Sequence, residues 1–534
     1  MTLLQPGLSL WRTPPDPDAP PPMALGQALA HAARRWGAAE AVACLRQPAG
    51  GDRRWRFAEL DREAERLAAA LLTRGYAPGE AIAVWGSNEA AWTLLQYALA
   101  KAGLVLVALN PLYRRAELIH ALNAAGAVAV FHADAAGGQA LGALVDQVAA
   151  EVPTLRARHR FADAMAPSFE PSATASLPRV DPSAVLMIQY TSGTTGAPKA
   201  AQLTHAGVLA ISRLSYRCWG FRSGDRICHG FPLFHVGGSG NSTPGALQVG
   251  ATSLPLHIFN AGDALDILEQ ERCAGFIGVP TMLTAMMAHP SLPRRDLSAL
   301  RCIVIGGAPV NPRLLAACEA AFEARACNGY GQTETGGVAA STAPDDPPER
   351  KTETSGRALP GVSVKVARPD GEAAPLGQAG SLWVASPGAM RGYVGQEPAS
   401  PSEWIDTGDL AALDGDGFVR IVGRTKEMVI RGGENLYPAE IERLLGEHPD
   451  VAEIAVVGVP DAKYGEELCA AVRLRPGADL DEATFKVWCL AHISRWKCPR
   501  YVVFVDELPL TLSGKVIKAQ LRDAMLAALG LAPA

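Results

Sequence analysis

The chain has 534 residues, 48% of them apolar and 19% charged, which excludes a peptide module and wholesale disorder and predicts several folding units. Lys and Arg total 49 against 54 acidic residues, so at a net charge of −5 no basic excess asks for a nucleic acid partner. The 10 cysteines include no C-x-x-C pair or Cys/His cluster at zinc spacing, no basic region opens the chain and no stretch approaches about 18 uninterrupted apolar residues. Buried thiols, no membrane span and a cytoplasmic location are therefore expected.

The first 22 residues hold seven prolines, which prevents regular helix or central strand and predicts an extended arm over 1–23, with folding proper starting near Ala24. Hydrophobic patterning then alternates: strand 81–86, helix 89–100, strand 104–109, helix 114–125 ended by Gly126, strand 127–131. Strands alternating with helices predict a mostly parallel sheet. Residues 156–182, rich in Ala, Pro, Ser and Arg without a period, read as a surface connector. Strands over 185–190, 275–279 and 301–305, the last two each followed by a helix-like run, continue the layers. From 356 to about 423, short runs at 362–366, 381–384 and 418–422 between Gly, Pro and Asp turns predict a small antiparallel part. Beyond it come helix 438–445, strands 454–459 and 468–474, helix 481–493, strand 501–505 and a terminal helix, a compact α+β unit. The expected fold class is α/β: an arm at 1–23, a large unit of layered sheets at 24–424 with a β-rich part over about 340–424, and a smaller, mobile α+β unit at 425–534.

The segment 190–199 reads Tyr-Thr-Ser-Gly-Thr-Thr-Gly-Ala-Pro-Lys, directly after a buried apolar run. Gly193 and Gly196 let backbone N–H groups face an anion, Thr191, Ser192, Thr194 and Thr195 add hydroxyls, and Lys199 adds a cation, which is what a polyphosphate needs. It is not a Walker A loop, because two residues separate the glycines and the lysine follows three later. A flexible Gly/Ser/Thr surface loop fits the composition equally well.

Further pieces follow in order: Lys101-Ala102-Gly103 through Asn110-Pro111, Phe231-Pro232-Leu233-Phe234-His235, Gly306-Gly307-Ala308-Pro309, Gly329-Tyr330-Gly331-Gln332-Thr333-Glu334, Asp406-Thr407-Gly408-Asp409, Gly423-Arg424-Thr425-Lys426, Gly432-Gly433-Glu434-Asn435 and Leu512-Ser513-Gly514-Lys515. With them, residues from about 24 to 520 resemble the adenylate-forming enzymes: acyl- and aryl-CoA synthetases, firefly-type luciferases and the adenylation domains of peptide synthetases. Ala200 departs from the family's usual Gly after the loop lysine.

The resemblance implies an ATP-dependent acyl-CoA ligase. A carboxylate would attack the α-phosphorus of ATP to give acyl-AMP and pyrophosphate, and the thiol of coenzyme A would then displace AMP. By the same resemblance the 191–199 loop and the motif residues Gly329, Gly331 and Thr333 hold the nucleotide, and Glu334 with Thr191 ligates Mg²⁺. Asp409 accepts from the ribose hydroxyls and Arg424 assists. Gly306, Gly307 and Ala308 run beside the adenine, and Tyr330 stacks on it. Lys515 is implied as the lysine that bridges carboxylate and phosphate during adenylation, Lys426 as the hinge, and Gly432 with Gly433 as a loop that faces the site after rotation. His235 stands where amino-acid-activating relatives carry Asp, so α-amino acids rank low, and it is implied as a wall between acyl pocket and thiol channel. Small or apolar pocket candidates are Gly237, Gly238, Ser239, Val279, Gly331 and Val338; without a basic residue among them the expected substrate is a hydrophobic monocarboxylic acid, fatty or aromatic or alicyclic. A homodimer is a further expectation. The alternatives are delivery of the acyl group to a carrier protein or another acceptor, and a silent nucleotide-binding scaffold.

Overall fold

A computed structural model describes residues 3–532 apart from 5–6, 49–50, 168, 172–175, 192–197, 309, 401–402, 433 and 512–514. Two sheets with helices between and around them form the bulk of the molecule. The first has six strands in the order Ala157–Arg160, Ala129–His132, Ala81–Trp85, Val105–Leu109, Val185–Thr191 and Lys199–Thr204, the first five parallel and the last antiparallel. Ala81–Trp85 and Val105–Leu109 are buried at every position, which is why they read as unbroken apolar runs rather than alternating ones.

The nine-stranded second sheet runs Arg357–Ala358, Gly337–Ser341, Arg325–Gln332, Cys302–Gly306, Gly275–Gly278, Arg226–His229, Thr252–Pro255, Glu40–Cys44 and Arg53–Arg56, parallel from Arg325–Gln332 through Glu40–Cys44. Helix Ala90–Ala102 is buried on all sides, as a helix with no polar face must be. It packs on the first sheet, and Tyr97 donates to the carbonyl of Thr243 beyond it.

A six-stranded antiparallel sheet contains Ser363–Ala367, Gly380–Ala385, Ile405–Leu413 and Val419–Arg424. Its other two strands come from the N-terminus, against the expectation that folding begins near Ala24. Leu10–Arg12 pairs with Ser363–Ala367, and Leu3–Leu4 pairs with Leu10–Arg12. The prolines that argued for a free arm cluster at 14–22, just past this stretch, where a sheet edge needs no further donors. The arm then lies along helix His205–Cys218, held by ion pairs from Asp16 to Arg213 and Arg217.

Residues 156–182 also depart from the expected connector. Ala157–Arg160 is an edge strand on Ala129–His132, and helix Phe161–Met165 buries Phe161 and Ala164. His159 stacks on Phe131 with centroids 4.6 Å apart, so polar residues of half-buried character hid the strand's period.

From Val429 onward the chain packs around two apolar clusters of its own, one including Ile441, Val456, Leu468 and Phe485, the other Val457, Cys469, Leu521 and Met525. Its sheet joins Glu434–Leu436, Val429–Arg431, Gly465–Leu474 and Val451–Asp461, with Tyr501–Phe504 parallel to Gly465–Leu474. Among the described residues no helix is long and apolar enough to cross a membrane.

Candidate active site

Parallel strands end their backbone N–H groups and following turns on one side, so ligands settle at their carboxyl ends. A cavity of about 690 Å³ lies there, at the ends of Val185–Thr191, Cys302–Gly306 and Arg325–Gln332. The antiparallel sheet adds Ile405 to Gly408 and Arg424, and the C-terminal unit adds Thr511 and Lys515. A second recess of about 590 Å³ is lined by Glu40, Arg54, Arg226 and Glu271. These four side chains pair with one another as ions, so their charges are already satisfied within the protein.

Thr191 and Lys199 face each other across the antiparallel pair that follows the buried strand, and both line the main cavity. Ser192, Gly193, Thr194, Thr195 and Gly196, expected between them, lie outside the described residues, as does Gly433. Glu334 sits in the tight turn Thr333–Thr335 after Arg325–Gln332. Tyr393 gathers this corner: its hydroxyl donates to Glu334 Oε1 at 2.9 Å, it shares a hydrogen bond with Thr191, and Lys199 Nζ lies 5.2 Å from its ring centroid. Desolvation, then the charge of Glu334, raises the Tyr393 phenol above its ordinary value.

Behind the opposite wall, next to Gly408 and Arg424 which line it, Asp409 is buried at 7% exposure and is held from both sides. Tyr330 donates its hydroxyl to Oδ2 at 2.6 Å, and Arg424 Nε donates to Oδ1 at 2.7 Å. An ionised carboxylate has about four acceptor sites, so each oxygen keeps capacity for a further donor. Tyr330, expected to stack on a base, spends its hydroxyl here and packs its ring beside the apolar cluster of the antiparallel sheet. Gly306 and Gly307 line the cavity; Ala308 does not. Gly331 lines it too, and a methyl group there would overlap the carbonyl oxygen of Gly337, so the close pairing with Gly337–Ser341 demands glycine.

Lys515 enters this cavity from the C-terminal unit, beside Asp409, Glu334, Arg424 and His235. Burial first, then Arg424, lowers its ammonium below the ordinary lysine range, while Asp409 and Glu334 oppose the shift. His235 stacks on Phe231 at 6.2 Å and 11°, and its Nδ1 accepts from Gly237 N at 3.1 Å, which leaves the proton on Nε2. Burial, helped by Lys515, pushes His235 down to about 3. The ring is therefore neutral in use. Lys426 lines the cavity beside Glu427, whereas Gly432 lies outside it, against Tyr464 and Trp496. Of the pocket candidates, Gly237, Gly331 and Val338 line the cavity; Gly238, Ser239 and Val279 are packed behind it, Ser239 accepting from Gln189 at 2.9 Å.

His205 and His229 are likewise buried and pushed down to about 4. Against an ordinary value of 6.5, the unfolded chain binds protons that the folded chain refuses as pH falls below 6.5. Stability is fully present above that value and is lost as pH drops toward 4. The apparent melting temperature should fall between pH 7 and pH 5 and stay level from 7 to 8; a flat profile down to pH 5 would contradict the burial of these rings.

The strand ends thus bring together a cationic corner, a buried carboxylate and an apolar recess. The AMP-binding enzyme family model matches residues 29–394, and the AMP-binding enzyme C-terminal domain matches 440–515. The chain belongs to this family. It is 34% identical over 504 residues to the putative acyl-CoA synthetase YngI of Bacillus subtilis (strain 168), covering 88% of this chain and 92% of that one. It is 34% identical over 546 residues to the mitochondrial medium-chain acyl-CoA ligase ACSF2 of Homo sapiens, covering 94% and 87%. The crystal structure of the anthranilate CoA ligase AuaEII in complex with anthranoyl-AMP superposes with a TM-score of 0.86 at 25% identity, covering 96% of this chain and 99% of that one. The protein is thus an enzyme, a ligase that activates an acyl group as its adenylate.

Sequence reasoning missed Tyr393, Met390, Trp219, Ile277 and Val304, all of which line the cavity. Ile277 and Val304 sit in strands that were read correctly, and their place near the carboxyl ends was the available signal. Tyr393 and Met390 lie in a loop whose only local cue is a run of Gly, Met and Tyr.

Proposed function

We propose that the protein is an ATP- and Mg²⁺-dependent acyl-CoA ligase for a hydrophobic monocarboxylic acid, acting through acyl-AMP and releasing AMP and pyrophosphate. The observation that carries this reading is Lys515: an ammonium from the C-terminal unit that lines a cleft whose other side is apolar. Two anions, a carboxylate and a triphosphate, must meet for adenylation, and a cation placed before they arrive needs no reorganisation as charge moves. Lys199 and the loop ahead of it would hold the phosphates from the opposite side. Asp409, kept in place by Tyr330 and Arg424, would accept from the ribose hydroxyls.

The metal-binding chemistry also fits. Among the described residues no three acidic, His or Cys side chains converge, and Glu334 stands beside Thr191 and Lys199. One carboxylate completed by phosphate oxygens and water is the ligand set Mg²⁺ prefers, and the ion would offset phosphate charge as pyrophosphate leaves. Glu334 would hold it, and Tyr393 orients that carboxylate.

Among the described residues the apolar side of the cavity brings no charged side chain: Trp219, Phe231, Ile277, Val304 and Val338 line it, and the neutral His235 ring borders it. A second carboxylate or an ammonium on the substrate would lie there unpaired, at a cost of several kcal/mol. The names of two relatives, a medium-chain acyl-CoA ligase and an anthranilate CoA ligase, support activation of a monocarboxylic acid. For the second step, thiol would approach once Lys515 withdraws, with Lys426 in the turn Thr425–Glu427 absorbing the dihedral change.

Asp409→Asn keeps the shape and loses the charge. The KM for ATP should rise about tenfold to a hundredfold, the worth of a hydrogen bond to a charged group; an unchanged KM would remove Asp409 from the nucleotide site. The reading as a whole is tested by a panel of carboxylic acids scored for AMP release with and without coenzyme A. CoA-dependent AMP release with neutral apolar acids is expected, and release only with amino acids or dicarboxylates would refute it.

A further inference from the structure

The apolar side of the cavity includes one rigid wall. Trp219 caps helix His205–Cys218 and is 2% exposed. Its Nε1 donates to Ser341 Oγ at 2.9 Å, and Tyr216 and Phe221 pack against the ring at 5.7 and 6.2 Å between centroids. Swinging the indole aside would leave a buried N–H without its partner and open a void among those rings, so the wall does not yield to a longer ligand.

Facing it is Gly329, the first residue of the Gly-Tyr-Gly run. A Cβ built there would lie 3.7 Å from Trp219 Cζ2 and 3.9 Å from Val304 Cγ1, ordinary van der Waals separations, and the backbone is not in the left-handed region. Neither conformation nor a clash requires glycine at this position, in contrast to Gly331. What the missing side chain leaves is space directly in front of the indole.

The geometry points to Trp219 and Gly329 as the pair that sets acyl length: the indole is the floor, and the gap at 329 is where the tail of the acid ends. This rests on the acyl-activating reading given above and deepens it. A floor fixed by a hydrogen bond gives a sharp cut-off, because a methylene that cannot be housed lowers kcat/KM about tenfold or more. Shortening the floor side chain and filling the gap must move that cut-off in opposite directions.

The test measures kcat/KM by AMP release for two series, straight-chain acids of increasing length and benzoates with para-alkyl groups of increasing length, in the wild type, Trp219→Ala and Gly329→Ala. Ratios between neighbouring acids on one enzyme cancel any general loss of rate. The wild type should show a drop of about tenfold or more at one step. Trp219→Ala should move that step to longer acids by about two methylenes or more, since the indole vacates more volume than that, and Gly329→Ala should move it to shorter ones. Unchanged positions of the step in both variants overturn the proposal, as does a shift in the same direction. Should Trp219→Ala fail to fold, Gly329→Ala decides alone, because its added methyl meets only ordinary contacts. A wild type that activates neither series contradicts the acyl reading itself, a result distinct from an immobile cut-off.

Discussion

Lys515→Ala should slow formation of acyl-AMP about a hundredfold to a thousandfold, the usual cost of removing one preorganised donor from a site where charge develops. The same variant, supplied with preformed acyl-AMP and coenzyme A, should keep most of its thioester-forming rate. The asymmetry follows from position. In the structure Lys515 lines the cavity near Asp409, Glu334 and Arg424, where a carboxylate and an α-phosphate would meet. Asp409 and Glu334 attract this ammonium and Arg424 repels it, and among the described residues it has no ion-pair partner within 4 Å, which suits a bridge between anions rather than a permanent ion pair. Thiol attack on the adenylate has no triphosphate to neutralise and gains nothing from that ammonium. ATP–pyrophosphate exchange and thioester formation from acyl-AMP, measured separately, check the split, and equal losses in both would show that Lys515 acts through the fold and not through adenylation.

The second large effect is structural. Gly331→Ala should lower the apparent melting temperature markedly, by an overpacking cost of about 3 kcal/mol or more, and abolish AMP release. The new methyl would overlap the carbonyl oxygen of Gly337, a backbone atom with no rotamer to escape into. Arg325–Gln332 and Gly337–Ser341 pair across this point with a register shift between Tyr330 and Gly331, and the turn between them carries Glu334. Relief of the overlap has to come from parting the two strands, which displaces Glu334 from Tyr393. Thermal unfolding followed by circular dichroism, with AMP release on the same sample, tests this; a variant with wild-type melting and rate would contradict the tight pairing.

Much of this architecture could be read from residue patterns, for physical reasons that also explain the failures. Strands buried on both faces, such as Val105–Leu109, announce themselves as apolar runs, and helices that end on glycine announce their stops, as Gly126 does with φ of 60°. Ala157–Arg160 escaped because an edge strand of Arg and His satisfies its burial by stacking a ring on Phe131. The docked N-terminus escaped because the prolines that follow Leu10–Arg12 dominate the local composition, while the pairing partner lies more than 350 residues away. Glu334 and Lys515, picked out from short ordered motifs, line the cavity, and Asp409 lies buried next to Gly408, which lines it, since in such motifs the neighbours constrain where a residue sits. Tyr393 and Trp219 were not, because each reaches the cavity only through tertiary packing, and no period or spacing marks it.

We propose that the acid's own oxygen attacks the α-phosphorus of ATP in the cavity lined by Lys199, Arg424 and Lys515. Supplying an accepted acid labelled with ¹⁸O in its carboxylate, together with ATP and coenzyme A, tests this most directly by mass spectrometry of the released nucleotide. One ¹⁸O in the phosphate of AMP, with unlabelled pyrophosphate and a thioester product, is the expected result. Label in pyrophosphate or inorganic phosphate, with ADP or unlabelled AMP as the nucleotide product, would contradict it.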